Sequence, residues 1–212
     1  MKMDSLTPVI AFKHFKTVMT HKMYVFLFCK EAGIPWQGIK HDLSKFSPTE
    51  FIESVKYYTG TDSPINNCKK VNGYSEAWMH HKGRNKHHYE FWQDDFDHGG
   101  KPLQMPFKYA LELICDYLAA GRTYMGNSFT YEAEYKWWLN KLDNKGKPNY
   151  KLAMHPQTVL FVDAMLQELK NDNMNVLKKE NAKKIYNRST RAYKNILKVE
   201  QENKIDKLRK VN

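Results

Sequence analysis

No stretch of this chain alternates β-branched and polar residues with a period of two, the pattern a half-buried strand needs. Helix signals recur instead. Thr7 can cap a helix and Pro8 suits its first position, and Gly33 suits its exit. Between them His14, Val18, His21, Val25 and Phe28 fall at helical spacing and form one stripe. Ser47-Pro48-Thr49-Glu50 is a second start, with Glu50 at the third position of a capping box. Pro106 opens "FKYALELICDYLAAG", which should stop at Gly121, and His155-Pro156 opens "QTVLFVDAMLQELK". Residues 131–142 also read as helix. The expected fold class is all-α.

Other stretches are less regular. Residues 59–73 read as a polar loop, and residues 74–82 as a short helix broken by Gly83. Asn85 is expected to cap a new helix through "KHHYEFWQDDF". "DHGGKP" reads as a turn and "DNKGKPNY" as a loop. From about Asn171 the composition changes. Residues 178–210 hold twelve Lys/Arg against four acids, an excess of +8 in a chain whose net charge is +11. We therefore expect a helical domain over residues 1–170 and a basic helical C-terminal extension over 171–212. The charge suggests an anionic partner: a nucleotide, or nucleic acid held by the extension.

The three cysteines, Cys29, Cys68 and Cys115, form no C-x-x-C pair. Neither a thiolate zinc site nor a disulfide framework is indicated, and a reducing cytoplasm is the expected setting. "YVFLFC" is too short to span a bilayer, so no membrane partner is expected.

The chemistry-bearing residues are histidines and acids. His41-Asp42 lies in the short connection feeding the Ser47 helix. Alone, such a pair is usually a surface acid beside an ordinary histidine. His21, on the apolar stripe, reads by itself as a core histidine. Asp116 faces apolar neighbours and has Glu112 one turn before it. A buried carboxylate needs a partner, either a basic residue such as Arg122 or a cation. One ion could gather His21, His41, Asp42 and Asp116. Two doublets, His80-His81 and His87-His88, sit within nine residues. Adjacent residues on a helix point about 100° apart, so one member of each doublet should serve a site. His80 and His88 are the expected members, as ligands of a second ion or as acid catalysts, with His87 a further candidate ligand. A nitrogen–oxygen donor set suits Mn²⁺, Fe²⁺, Ni²⁺ or Zn²⁺, one ion or two. Lys45, Arg84, Lys86 and Arg122 are the expected cations for a phosphate; any one of them could equally belong to a solvated charged face.

This set resembles the HD superfamily of metal-dependent phosphohydrolases: a helical histidine, then His-Asp, then an aspartate on a later helix. Lys45, three after Asp42, matches a lysine often found near that pair. A closer likeness is to a bacterial and phage family of HD-like proteins. It rests on "HKMYV", "HDLSKFSPTEF", "HHKGRNKHHYEFW", "MPFKYALELICDYLA" and "MHPQT", in that order, over roughly residues 10–168. The resemblance implies a helical bundle holding the ion between helices, and hydrolysis of phosphate mono- or diesters, usually of nucleotides. The double HH block departs from a one-ion HD site. Two other readings are a basic helical nucleic-acid-binding protein with structural histidines, and a metal-dependent nuclease whose extension grips the polymer.

Overall fold

The structure is a computed structural model that describes residues 7–94, 97, 99–142 and 153–209, with side chains to 204. The described residues include nine α-helices and no strand, so the fold is all-α.

Helix α1, Pro8–Glu31, starts where its signals place it: the Thr7 hydroxyl accepts from the Ile10 N–H at 3.3 Å. Its buried face is His14, Val18, His21, Val25 and Cys29. Gly33 ends it with φ +69, a conformation that favours glycine. The short α2, Pro35–Lys40, folds straight back on α1. A Cβ on Gly38 would lie 2.7 Å from the Phe26 Cα, so only glycine lets the two backbones approach this closely. A 3₁₀ turn over Leu43–Phe46 leads to α3, Pro48–Lys56.

The segment expected as a polar loop contains helix α4, Pro64–Asn72. Its punctuation was in the sequence: a proline at the first position and Gly73 after the end, at φ +80. Helix α5, Glu76–Lys82, follows. The helix expected from Asn85 does not form. Residues 83–88 are turns, and Tyr89–Phe91 is a single 3₁₀ turn.

Helix α6, Phe107–Met125, is the central post, buried without a break from Ala110 to Ala119. It runs through Gly121, where a stop was expected, because the glycine lies against Phe129 and Glu134 with no room for a side chain. Helices α7, Tyr131–Leu139, and α8, Pro156–Lys170, complete the packing around the post. "DNKGKPNY" lies outside the described residues, as does part of "DHGGKP".

The boundary expected near residue 170 falls inside the packing. Val176 and Leu177 are buried, and helix α9, Lys179–Arg209, puts Ala182, Ile185 and Tyr186 into the core. The Tyr186 hydroxyl donates to the Met105 carbonyl at 2.6 Å. Three buried groups thus recur at near-helical spacing in a stretch whose lysines dominate the composition. From Lys194 to Lys204 the helix is exposed on every side. No helix among the described residues is long and apolar enough to cross a membrane. All three cysteines are buried free thiols.

Candidate metal centre

Three segments converge on α6. Helix α1 brings His21, the link after α2 brings His41 and Asp42, α5 and the turns after it bring His81, His87 and His88, and α6 brings Asp116 and Glu112. Asp42 has φ +53. This left-handed twist, which aspartate tolerates better than most residues, turns two sequence neighbours into the same space. The His41 Nε2 lies 3.3 Å from Asp42 Oδ2 and 3.4 Å from Asp116 Oδ1. The His21 Nε2 is 3.1 Å from Asp116 Oδ1.

On the other side of Asp42, the Nε2 atoms of His81 and His87 lie 3.3 and 3.4 Å from its Oδ1. The His81 and His88 Nε2 atoms face each other at 2.8 Å. Two imidazole nitrogens that close need a proton or a cation between them. Ligand atoms within 4.8 Å of one another form three groups: His21, His41, Asp42 and Asp116; Asp42, His81, His87 and His88; and His41, His87 and Glu112. Asp42 belongs to the first two.

The far sides of the rings explain their aim. His41 Nδ1 donates to Glu112 Oε1 at 3.1 Å, and His87 Nδ1 lies 3.4 Å from the same oxygen. His81 Nδ1 donates to Glu50 Oε2 at 2.7 Å. An ionised carboxylate only accepts, so Nδ1 carries a proton and Nε2 is the atom that a neutral ring would offer a cation in the cluster. Burial pushes the Glu112 and Glu50 carboxyls up, but the histidine hydrogen bonds overcome it and both sit below the usual range. The Nε2 atoms of His21, His41 and His87, and Asp42 Oδ1, are buried and, close as they lie to one another and to Asp116, none is aligned for a hydrogen bond. Orphaned donor atoms converging from three segments form a set that could hold a cation.

The charge balance points the same way. Asp42, Asp116, Glu112 and Glu50 are buried, and the cation among them is Lys45, whose Nζ is 2.7 Å from Asp42 Oδ2. Burial opposes charge on Lys45 and on Asp42. Yet Asp42 raises the lysine, while His41 and Lys45 hold the Asp42 carboxyl well below its ordinary range. Burial also opposes charge on His41, but Asp42, Asp116 and Glu112 outweigh it and His41 is raised well above an ordinary histidine. His21 and His88 are lowered, first by burial and then by the cations around them. Protons on some rings hold the cluster together; a divalent ion would replace them, and its binding would release them.

Several expected site residues lie elsewhere. His80 is not in the cluster: its Nδ1 meets Glu50 Oε1 at 2.6 Å, and its neighbour His81 faces in. Both His87 and His88 face in, because their segment is a turn and the helical 100° rule does not apply. Arg84 is bonded to the His80 carbonyl, Lys86 lies over Phe91, and Arg122 over Phe129 on another face of α6. None of the three lines the cavity beside the cluster. Lys69 and Lys141 do, and were not singled out in the sequence. Nor was Glu50 assigned a backing role. It was expected to close its own cap, and it reaches across to two histidines instead. Glu112 is legible as the residue one turn before Asp116 on the same face. His14 is a core histidine against Phe51 and Tyr58, and burial lowers it to about 4.

The family model that matches the chain spans residues 11–168. The chain belongs to DUF5662, a family of unknown function. No curated protein and no solved structure matches it. The DUF5662 segment carries every residue of the cluster and both backing carboxylates. It ends within α8, before α9.

Proposed function

We propose that this DUF5662 protein is a metal-dependent phosphohydrolase or phosphodiesterase of the HD type, acting on a nucleotide. One ion would be held by His21, His41, Asp42 and Asp116, and a second by Asp42, His81, His87 and His88. The observation that carries the reading is the set of orphaned nitrogen and oxygen atoms meeting on Asp42. The donor set has no thiolate, which suits Mn²⁺, Fe²⁺, Ni²⁺ or Zn²⁺. An ion bound there lowers the pKa of a bound water and polarises a phosphoryl oxygen.

The chain's own groups do the rest. Glu112 and Glu50 hold the rings in register. Lys45 fixes Asp42 and stands at the cavity wall with Lys69, so that positive charge meets the phosphate. The cavity is about 540 Å³, within the range of small-molecule sites. The test is metal analysis of the purified chain, followed by assay on nucleoside mono-, di- and cyclic phosphates with each metal. A chain that takes up none of Mn²⁺, Fe²⁺, Ni²⁺ or Zn²⁺ sinks the reading.

A nuclease reading draws on the distal part of α9, where four lysines or arginines between Arg191 and Lys204 are joined on a helix exposed to solvent. Steep loss of polymer binding with salt would favour it over a small nucleotide.

A further inference from the structure

The cavity continues past the metal centre along α6 and α7. Its far end is built from Tyr117, Gly121, Glu134, Trp137 and Lys141, with Glu90 on the same lining. None of these touches the cluster's ligand atoms. The Glu134 carboxyl is buried, and among the described residues neither a side-chain hydrogen bond nor an ion pair holds it. Glu90 Oε2 and the Tyr117 hydroxyl are fully buried and also lack a hydrogen-bond partner, and Tyr117 itself is only 9% exposed. The Lys141 ammonium sits over Trp137 at 4.3 Å and Tyr117 at 5.4 Å, coupled to both glutamates without closing an ion pair on either. Gly121 makes room for the Glu134 carboxyl and the Phe129 ring, which a Cβ there would strike.

A ligand that enters the cavity can complete polar groups left apart along its wall. Here they are two carboxyls, a phenol and one ammonium, with aromatic rings beside them. A simple amine would satisfy the acids and be repelled by Lys141. A second phosphate would satisfy Lys141 and be repelled by the acids. A flat group with adjacent N–H donors and a carbonyl satisfies both at once. A guanine edge offers the ring N–H and the amino group to the carboxyls and its carbonyl to Lys141, with its face to the rings. Adenine has no carbonyl and one fewer donor.

We propose that this end of the cavity is a base-recognition subsite that selects a guanine-type edge over adenine. The proposal rests on the nucleotide reading of the metal end for its choice of substrate, but its binding can be measured alone. Burial, and secondarily Asp116, push the Glu134 carboxyl up to about 7, so N–H donors from a ligand would stabilise an ionised form that is poorly supported without them.

The experiment is fluorescence titration of the full chain with GMP, IMP and AMP in the presence of Mn²⁺, and with guanosine and adenosine in its absence. We expect GMP to bind at least about tenfold more tightly than AMP, with IMP between, because a site built for hydrogen bonds rejects a ligand that lacks them. Glu134→Gln should bring GMP to the AMP level. If that variant does not fold, Lys141→Met should reduce the GMP preference by itself. Equal affinities of the wild type for GMP and AMP, or tighter AMP, overturn the subsite. Guanosine preference without any hydrolysis leaves the subsite standing and counts against the phosphohydrolase. Hydrolysis of both nucleotides with equal affinity does the reverse.

Discussion

The two ends of one cavity treat buried carboxylates in opposite ways. At the metal end Asp42, Asp116, Glu112 and Glu50 each face a histidine or Lys45, and all four are held below their ordinary range although burial opposes it. At the far end Glu134 and Glu90 suffer the same desolvation with no ion pair, and both are raised. Burial is thus not what makes a carboxylate fit for a cation. The partner is. The metal end keeps its negative charge at neutral pH, while the far end gives its charge up unless a ligand restores it.

The largest expected effect is at the residue both four-member groups share. Asp42→Ala should abolish binding of both ions, and it also leaves Lys45, half-buried at the cavity wall, without its carboxylate. Removing one member of a fully buried pair costs about 3–5 kcal/mol, and the exposure of Lys45 should keep the loss below that. Metal content and thermal melting check both parts. Asp42→Asn, of nearly the same shape, separates them: it should lose metal with less loss of stability. If the Asn variant retains two ions, Asp42 is not a shared ligand.

His21→Ala and His88→Ala divide the metal end. Each should lose about one ion per chain and keep the other, since His21 belongs only to the first group and His88 only to the second. A variant that empties both positions would show one cooperative site in place of two. A smaller effect is expected from the backing acids. Glu50→Gln removes the charge behind His81 and leaves one acceptor oxygen to be shared by His80 and His81, and such outer partners are worth roughly 10–100-fold in metal affinity. The loss should fall on the His81 side alone. His80→Ala, which shares the same carboxylate but faces away from the cluster, should weaken binding by far less.

The sequence carried the metal end unevenly, for physical reasons. His21, His41, Asp42 and Asp116 stand on or beside well-signalled helices, so their spacing could be read and the structure brings them within reach of one another. His81 was passed over for His80 although both lie on α5, where one member does face in, because spacing alone did not say which; His88 was set against His87 because the segment after Gly83 was assigned helical periodicity. That segment is a turn, and a turn's geometry is not periodic. Glu50 shows a second cause. Its cap position is right, since Ser47 accepts from its N–H at 3.4 Å, but its side chain is recruited by a tertiary partner the local motif does not contain. The core share of α9 was hidden by composition: lysines outnumber Ala182, Ile185 and Tyr186, and burial follows the face and not the average. The far end of the cavity had no local signal at all. Glu90, Glu134 and Lys141 meet only through the fold.

The comparison of the two ends is sharpened most finely by pH. Glu134 has a folded pKa of about 7 against an ordinary 4.5, so the folded chain holds a proton that the unfolded chain releases between those values. Stability must therefore fall as pH rises through that window and level off above it. Glu134→Gln removes the titration and keeps the shape. At pH 5 the variant and the wild type should be close in stability. At pH 8 the variant should gain, relative to the wild type, about 1–3 kcal/mol, the upper end being the full shift at 1.36 kcal/mol per pH unit. Urea unfolding of both proteins at the two pH values measures it. A difference that does not change with pH would mean that Glu134 is already ionised in the folded protein at neutral pH, held by Lys141. The far end would then belong with the metal end, as a site that keeps its charge by pairing, and its wall would be set for a ligand's hydrogen-bond acceptors no better than for its donors.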